Sequence, residues 1–293
     1  MKISERASEF PHLIIVDDYH KTYRETVAVA GLSFQVEAGQ ILGLVGPNGA
    51  GKTTTLRAVA GIIPATRGRL LVAGHDIAVD PVAAKQRFAY IPDDPKLFDA
   101  LTVAEHLEFI AVAYGVKDWS DKVARLLEQF ELTEKKNALA QELSRGMRQK
   151  VAICCGYLHD PSAILFDEPL TGLDPRGIRT LKQSIVERAQ AGAAIIISSH
   201  LLSLVEDLCT HLLILERGRS RFCGPVSEAR AQFADHTGEA SLEEVFFRVT
   251  EGTPAAADAI EAIAVATDAV KSGRDGAATG AAAPPGKYLG DQP

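Results

Sequence analysis

The sequence predicts an α/β fold with a mostly parallel sheet, an antiparallel β portion at the N-terminus and an inserted helical subdomain. Three observations predict it. Short apolar runs alternate with longer helix-like stretches, one run feeds a glycine-rich loop that opens a helix, and another ends abruptly in two acids.

The strand candidates are residues 13–16, 32–36, 41–45, 88–91, 163–166, 194–197 and 212–215, each a short apolar run bounded by polar or turn residues. Between Tyr90 and Ile164 the pattern has helical periodicity, at 103–114 and 121–130, and no convincing strand. This places a helical subdomain at about 95–160 inside a unit spanning 12–228. A helical extension is expected at 229–252. Residues 253–293 are rich in Ala, Gly and Pro, with too few large apolar groups to offset the entropy of ordering, so disorder is expected apart from a short helix at 256–270. No internal repeat is evident.

Composition narrows the function classes. With 46% hydrophobic residues the chain has enough apolar material for a sizeable core, and its net charge of -7 argues against a broad nucleic-acid surface. Cys154, Cys155, Cys209 and Cys223 show no CxxC spacing and are expected as free thiols of a reducing compartment. Residues 1–11 lack the apolar centre of a secretory signal and are expected to belong to the mature protein. The longest apolar runs fall far short of the roughly 20 residues that cross a bilayer. Any membrane role is therefore expected to come through a partner.

The chemistry-bearing motifs follow chain order. Gly46-Pro47-Asn48-Gly49-Ala50-Gly51-Lys52-Thr53-Thr54 fits G-x-x-x-x-G-K-[ST] and stands between a strand and a helix, as the motif requires. Its glycines let the backbone turn tightly and aim successive N–H groups at phosphates, and the helix start adds partial positive charge. Lys52 is expected at the β- and γ-phosphates and the Thr53 hydroxyl on Mg²⁺. The apolar run 163–166 then ends in Asp167 and Glu168. At the carboxyl edge of a parallel strand, Asp167 suits Mg²⁺, and Glu168 suits orienting or deprotonating the attacking water.

Over residues 13–224 these motifs, with Leu143-Ser144-Arg145-Gly146-Met147 added, resemble the ATP-binding subunit of the ABC transporter family, of the export or drug-resistance type. The resemblance implies a P-loop NTPase fold, with ATP and Mg²⁺ as cofactors. It implies that Ser144 and Gly146 open a helix and contact the γ-phosphate of ATP held by a second subunit. Ser144 also suits a plain helix N-cap. Asp174, in Thr171-Gly172-Leu173-Asp174-Pro175, resembles the family's interface aspartate, and His200 resembles its switch histidine. Tyr23 holds the place of the ring that stacks on adenine, with Tyr19 as a nearby competitor. Residues 242–246 resemble a closing segment of export-type members and read equally well as an amphipathic helix.

Two positions depart from the family's pattern. Asp93 stands where a glutamine normally touches Mg²⁺, adding an oxygen ligand and a negative charge, and Arg145 replaces the first glycine of the signature pair. The functional expectation is a motor subunit that closes as a homo- or heterodimer on two ATP and drives a separate polytopic membrane permease, from the inner face of the cell membrane. Alternatives are an ABC ATPase acting on ribosomes or DNA, and a poorly hydrolysing regulatory subunit. Transported substrate is not encoded here.

Overall fold

A computed structural model describes residues 12–232 and 241–250. The helix expected at 256–270, and the remainder of the N-terminal and tail segments, lie outside the described residues.

Among the described residues ten strands form two sheets. Strands β1 (His12–Tyr23), β2 (Thr26–Glu37), β4 (Arg67–Val72) and β5 (His75–Asp76) make an antiparallel sheet in the order β2-β1-β4-β5. Strands β3 (Ile41–Val45), β6 (Phe88–Ile91), β7 (Ala163–Asp167), β8 (Ala194–Ser198), β9 (His211–Glu216) and β10 (Arg219–Pro225) make the second, ordered β10-β9-β3-β8-β7-β6. Every pairing in it is parallel except β9 with β10.

The strand sequences explain this layering. β3, β7 and β8 are buried at every residue, the pattern of a parallel strand covered on both faces. Alternate residues enter different cores. Ile195, Ile197, Ile164, Phe166 and Ile214 face one cluster, and Ala194, Ile196, Leu165, Leu213 and Leu215 face the other. The second cluster is closed by the antiparallel sheet and by α1 (Lys52–Val59).

The first cluster is closed by helices α3 (Val103–Ala113), α4 (Trp119–Gln129) and α5 (Arg145–Tyr157), inserted between β6 and β7, together with α6 (Pro175–Gln190) and α7 (Leu202–Leu208). A short α2 (Pro81–Lys85) precedes β6. Two of the three inserted helices start at a side-chain cap, and α4, preceded by Asp118 at φ 48°, has none. Thr102 and Glu105 form a capping box for α3, and the Ser144 hydroxyl accepts from Met147 N–H at the head of α5.

Past β10 lie α8 (Val226–Gln232) and α9 (Leu242–Thr250). Ser241 and Glu244 cap α9 reciprocally, and Leu242, Val245 and Phe246 sink into the first core. The closing segment is therefore an amphipathic helix packed onto the body of the protein.

The strands the sequence did not reveal are β4, β5 and β10. β1 also runs well beyond the apolar residues 13–16, because a bulge between Val16 and Tyr19 lets the strand pass Asp17 and Asp18.

Candidate functional site

The loop from Gly46 to Gly51 leaves the end of β3 and opens α1. Gly46 allows a close approach, since a Cβ there would stand 2.2 Å from the Leu215 carbonyl oxygen of the neighbouring strand. Asn48 and Gly49 form the exposed tip, while Pro47 and Ala50 are buried beside it. The Ala50 N–H donates to the Pro47 carbonyl at 3.1 Å, and the Ala50 carbonyl accepts from Gly218 N–H at 3.0 Å, pinning the loop to the β9–β10 turn. No side chain caps α1, so its first-turn N–H groups stay open towards the loop. Thr53 and Thr54 stand in that first turn, partly exposed.

Lys52 folds back over the loop, and its Nζ donates to the Gly46 carbonyl at 2.6 Å and to that of Pro47 at 3.3 Å. Burial pushes its pKa down, and the charges of Glu168 and Asp167 oppose the shift. Across the loop, the Thr53 hydroxyl donates to Asp167 Oδ1 at 3.2 Å, and Tyr90 Oη donates to Asp167 Oδ2 at 3.3 Å. Burial raises the Asp167 carboxyl above its ordinary range, partly offset by the Thr53 bond.

Glu168 begins the loop after β7 in the left-handed region, at φ 51°, which a non-glycine residue adopts only when its surroundings hold it there. Its N–H donates to the Ser198 carbonyl at 2.9 Å, tying the ends of β7 and β8 together. Its Oε2 lies 2.9 Å from His200 Nδ1 and accepts more distantly from the Ser199 hydroxyl and the His200 N–H, both at 3.4 Å. The bond to Glu168 raises the His200 pKa, and partial burial opposes it.

The remaining sequence-predicted residues lie around this centre. Gly146 packs against the loop after β7, where an added Cβ would meet the Gly172 carbonyl oxygen at 2.2 Å. Asp174, the first residue before α6, is bound by Lys150 Nζ of α5 at 3.0 Å. Tyr23 is 45% exposed at the end of β1, with Lys21 Nζ 4.9 Å from its ring centre, whereas Tyr19 is fully buried in the second core. Burial thus removes Tyr19 as the competitor. Asp93 is bound by the Arg145 guanidinium at 2.9 Å, so the two positions that depart from the family's pattern pair with each other. That pairing, like those of Tyr90 with Asp167 and Lys150 with Asp174, joins segments far apart in sequence and left no signal in it.

A glycine loop that opens a helix on a parallel sheet, with a buried lysine and two strand-end acids facing it, defines a P-loop ATPase. The family model described as ABC transporter matches residues 29–171. The chain belongs to that family, as one of its ATP-binding subunits.

Among its relatives, the ABC-type transporter ATP-binding protein EcsA of Bacillus subtilis (strain 168) is 36% identical over 241 residues, covering 82% of this chain and 97% of its own. The SkfA peptide export ATP-binding protein SkfE of the same organism is 34% identical, over 71% of this chain and 87% of its own. A solved ATP-binding subunit of an ABC transporter is similar at a TM-score of 0.78 and 34% identity, over 82% of this chain and 100% of that one. A nucleotide-free ATP-binding cassette, at a TM-score of 0.64 and 23% identity, shares the fold.

Proposed function

We propose that this chain is the motor of an ABC transporter, closing as a dimer on two ATP and driving a separate membrane permease. One observation carries the reading. The Glu168–His200 pair joins the ends of two parallel strands, beside Lys52 and the Thr53–Asp167 pair. In this reading the open loop N–H groups and Lys52 hold the phosphates, Tyr23 stacks on the base, Glu168 takes a proton from the attacking water, and His200 orients Glu168.

Mg²⁺ fits the Thr53 and Asp167 oxygens, because a buried carboxylate of raised pKa gains from a cation beside it. Among the described residues no three His, Cys, Asp or Glu side chains stand together as a metal site. ATP phosphates and waters would supply the remaining oxygens, the usual arrangement for Mg²⁺. Asp93 is the other candidate ligand. Ser144, Gly146 and Asp174 line the face that would meet the second subunit.

The permease reading draws on a groove of about 360 Å³ between β6 and the inserted helices, lined by Ile62, Leu97, Phe98, Phe109, Ile110 and Tyr114. Phe98 is 59% and Phe109 51% exposed, and the two rings meet edge to face at 5.7 Å. His106, a buried residue of α3 that lines the groove, ties the Phe98 backbone to that helix. Its Nε2 accepts from Phe98 N–H at 2.9 Å and its Nδ1–H donates to the Thr102 carbonyl at 2.7 Å. In this reading, attachment at the inner face runs through this groove; among the described residues no helix is long and apolar enough to cross a membrane.

A second reading, an ATP-binding subunit of low turnover, draws on Asp93 being engaged by Arg145. Turnover measured against protein concentration separates the two. A motor gated by dimerisation gains specific activity with concentration and co-extracts with a polytopic membrane protein, whereas a regulatory subunit turns over poorly at every concentration.

A further inference from the structure

Two contacts tie the loop after β6 to α5. The side chain of Gln149, fully buried, donates from Nε2 to the Pro92 carbonyl at 3.3 Å. Arg145, one helical turn earlier on the same face, binds Asp93 Oδ1 at 2.9 Å. The first contact is neutral and partly buried. The second is charged, with side chains 47% and 46% exposed, and such a pair breaks at little cost.

Arg145 is itself held in place. Its aliphatic stem packs on Gly172, where an added Cβ would meet Arg145 Cδ and Cγ at 3.2 Å. Asp93 also acts electrostatically on His200, supporting its charged form, so its carboxylate belongs to the field of the hydrolytic site.

We propose that Arg145 is a positioning residue that holds the Asp93 carboxylate out of the Mg²⁺ shell of its own subunit, with Gln149 as the fixed point about which the loop turns. The inference rests on the reading above that Thr53 and Asp167 hold the Mg²⁺ of bound ATP. A free Asp93 would add a second carboxylate to that shell. Paired with a guanidinium, it adds no net charge, and movement of the N-terminus of α5 decides whether it is released.

The test is Mn²⁺ binding to the full chain loaded with a non-hydrolysable ATP analogue, read by electron paramagnetic resonance in wild type, Arg145→Ala, Asp93→Asn and the double variant. Both side chains are half exposed, so both substitutions leave the core intact. Arg145→Ala tightens Mn²⁺ binding by roughly fivefold or more, and Asp93→Asn removes most of that gain. Arg145→Lys, which keeps the charge, stays near wild type.

An equal gain with and without the Asp93 carboxylate would mean that Arg145 acts only as a nearby charge, and would overturn the proposal, as would no gain at all. Asp167→Asn serves as the reference. If it leaves Mn²⁺ binding unchanged, the underlying metal reading fails, whereas loss of binding there with no effect of Arg145→Ala overturns this inference alone.

Discussion

Glu168 Oε2 and His200 Nδ1 stand 2.9 Å apart, joining the loops that leave two neighbouring parallel strands. The contact fixes the Glu168 carboxylate beside the phosphate loop and gives the histidine a charged partner. Because the bond to Glu168 raises the His200 pKa, the contribution of this pair to stability is present in full below the ordinary histidine value of about 6.5 and is lost as pH rises through the raised value. Titration of the His200 ring by NMR should therefore show a value above the ordinary one, falling in Glu168→Gln. An unchanged titration in that variant would mean that the pair does not form in solution.

His159 moves the other way. Burial pushes its pKa down to about 4, its Nε2–H donates to the Phe88 carbonyl at 3.2 Å, and its buried Nδ1 has no hydrogen-bond partner among the described residues. Protonation would bury an unsatisfied N–H, so the folded state takes up the proton later than the unfolded one. Stability should fall as pH drops from about 6.5 towards 4, by up to about 1.4 kcal/mol per pH unit. In His159→Gln, denaturant unfolding across that range should show a flatter dependence.

Gly46→Ala should abolish nucleotide binding. The added methyl would stand 2.2 Å from the Leu215 carbonyl, so either the loop or β9 must shift. A cost above about 2 kcal/mol is expected, together with loss of fluorescent ATP-analogue binding. Ala at Gly49, where a Cβ meets nothing within 4 Å but φ is +78°, brings backbone strain of about 1–2 kcal/mol without a clash, and so separates strain from lost packing.

Asp167→Asn should separate stability from function. Burial raises the Asp167 carboxyl pKa, so in the nucleotide-free protein the ionised form costs stability, a cost that builds as pH rises from the ordinary aspartate value of 3.8 through the raised one. The amide removes that charge. At pH 7 thermal unfolding of the free protein should shift upward by on the order of a few degrees, while ATP with Mg²⁺ should no longer add stability.

Much of this was legible in the sequence for definite reasons. β3, β7 and β8 are buried on both faces, so they appear as unbroken apolar runs, and the phosphate loop follows a spacing that its backbone geometry demands. β10 pairs on one side only and carries no apolar run in Arg219–Pro225, while the first half of β4 is exposed, leaving Leu70, Leu71 and Val72 as a run too short to stand out in Arg67–Val72. Strand β1 was cut short for another reason, as Asp18 enters the left-handed region at φ 46° within a bulge and interrupts the apolar pattern.

In the site, single residues were legible and their partners were not. Asp93 and Arg145 each stood out as departures, yet nothing in one segment signals that it meets the other. The same holds for Lys150, which binds Asp174 from a helix that precedes β7.

The most direct test of the central claim is single-turnover ATP hydrolysis by wild type and Glu168→Gln at a concentration where wild type is active, with nucleotide binding measured on the same samples. Removing the general base should lower the rate by about two orders of magnitude or more while ATP binding persists. Hydrolysis at the wild-type rate in Glu168→Gln would contradict the assignment of the Glu168–His200 pair as the hydrolytic centre.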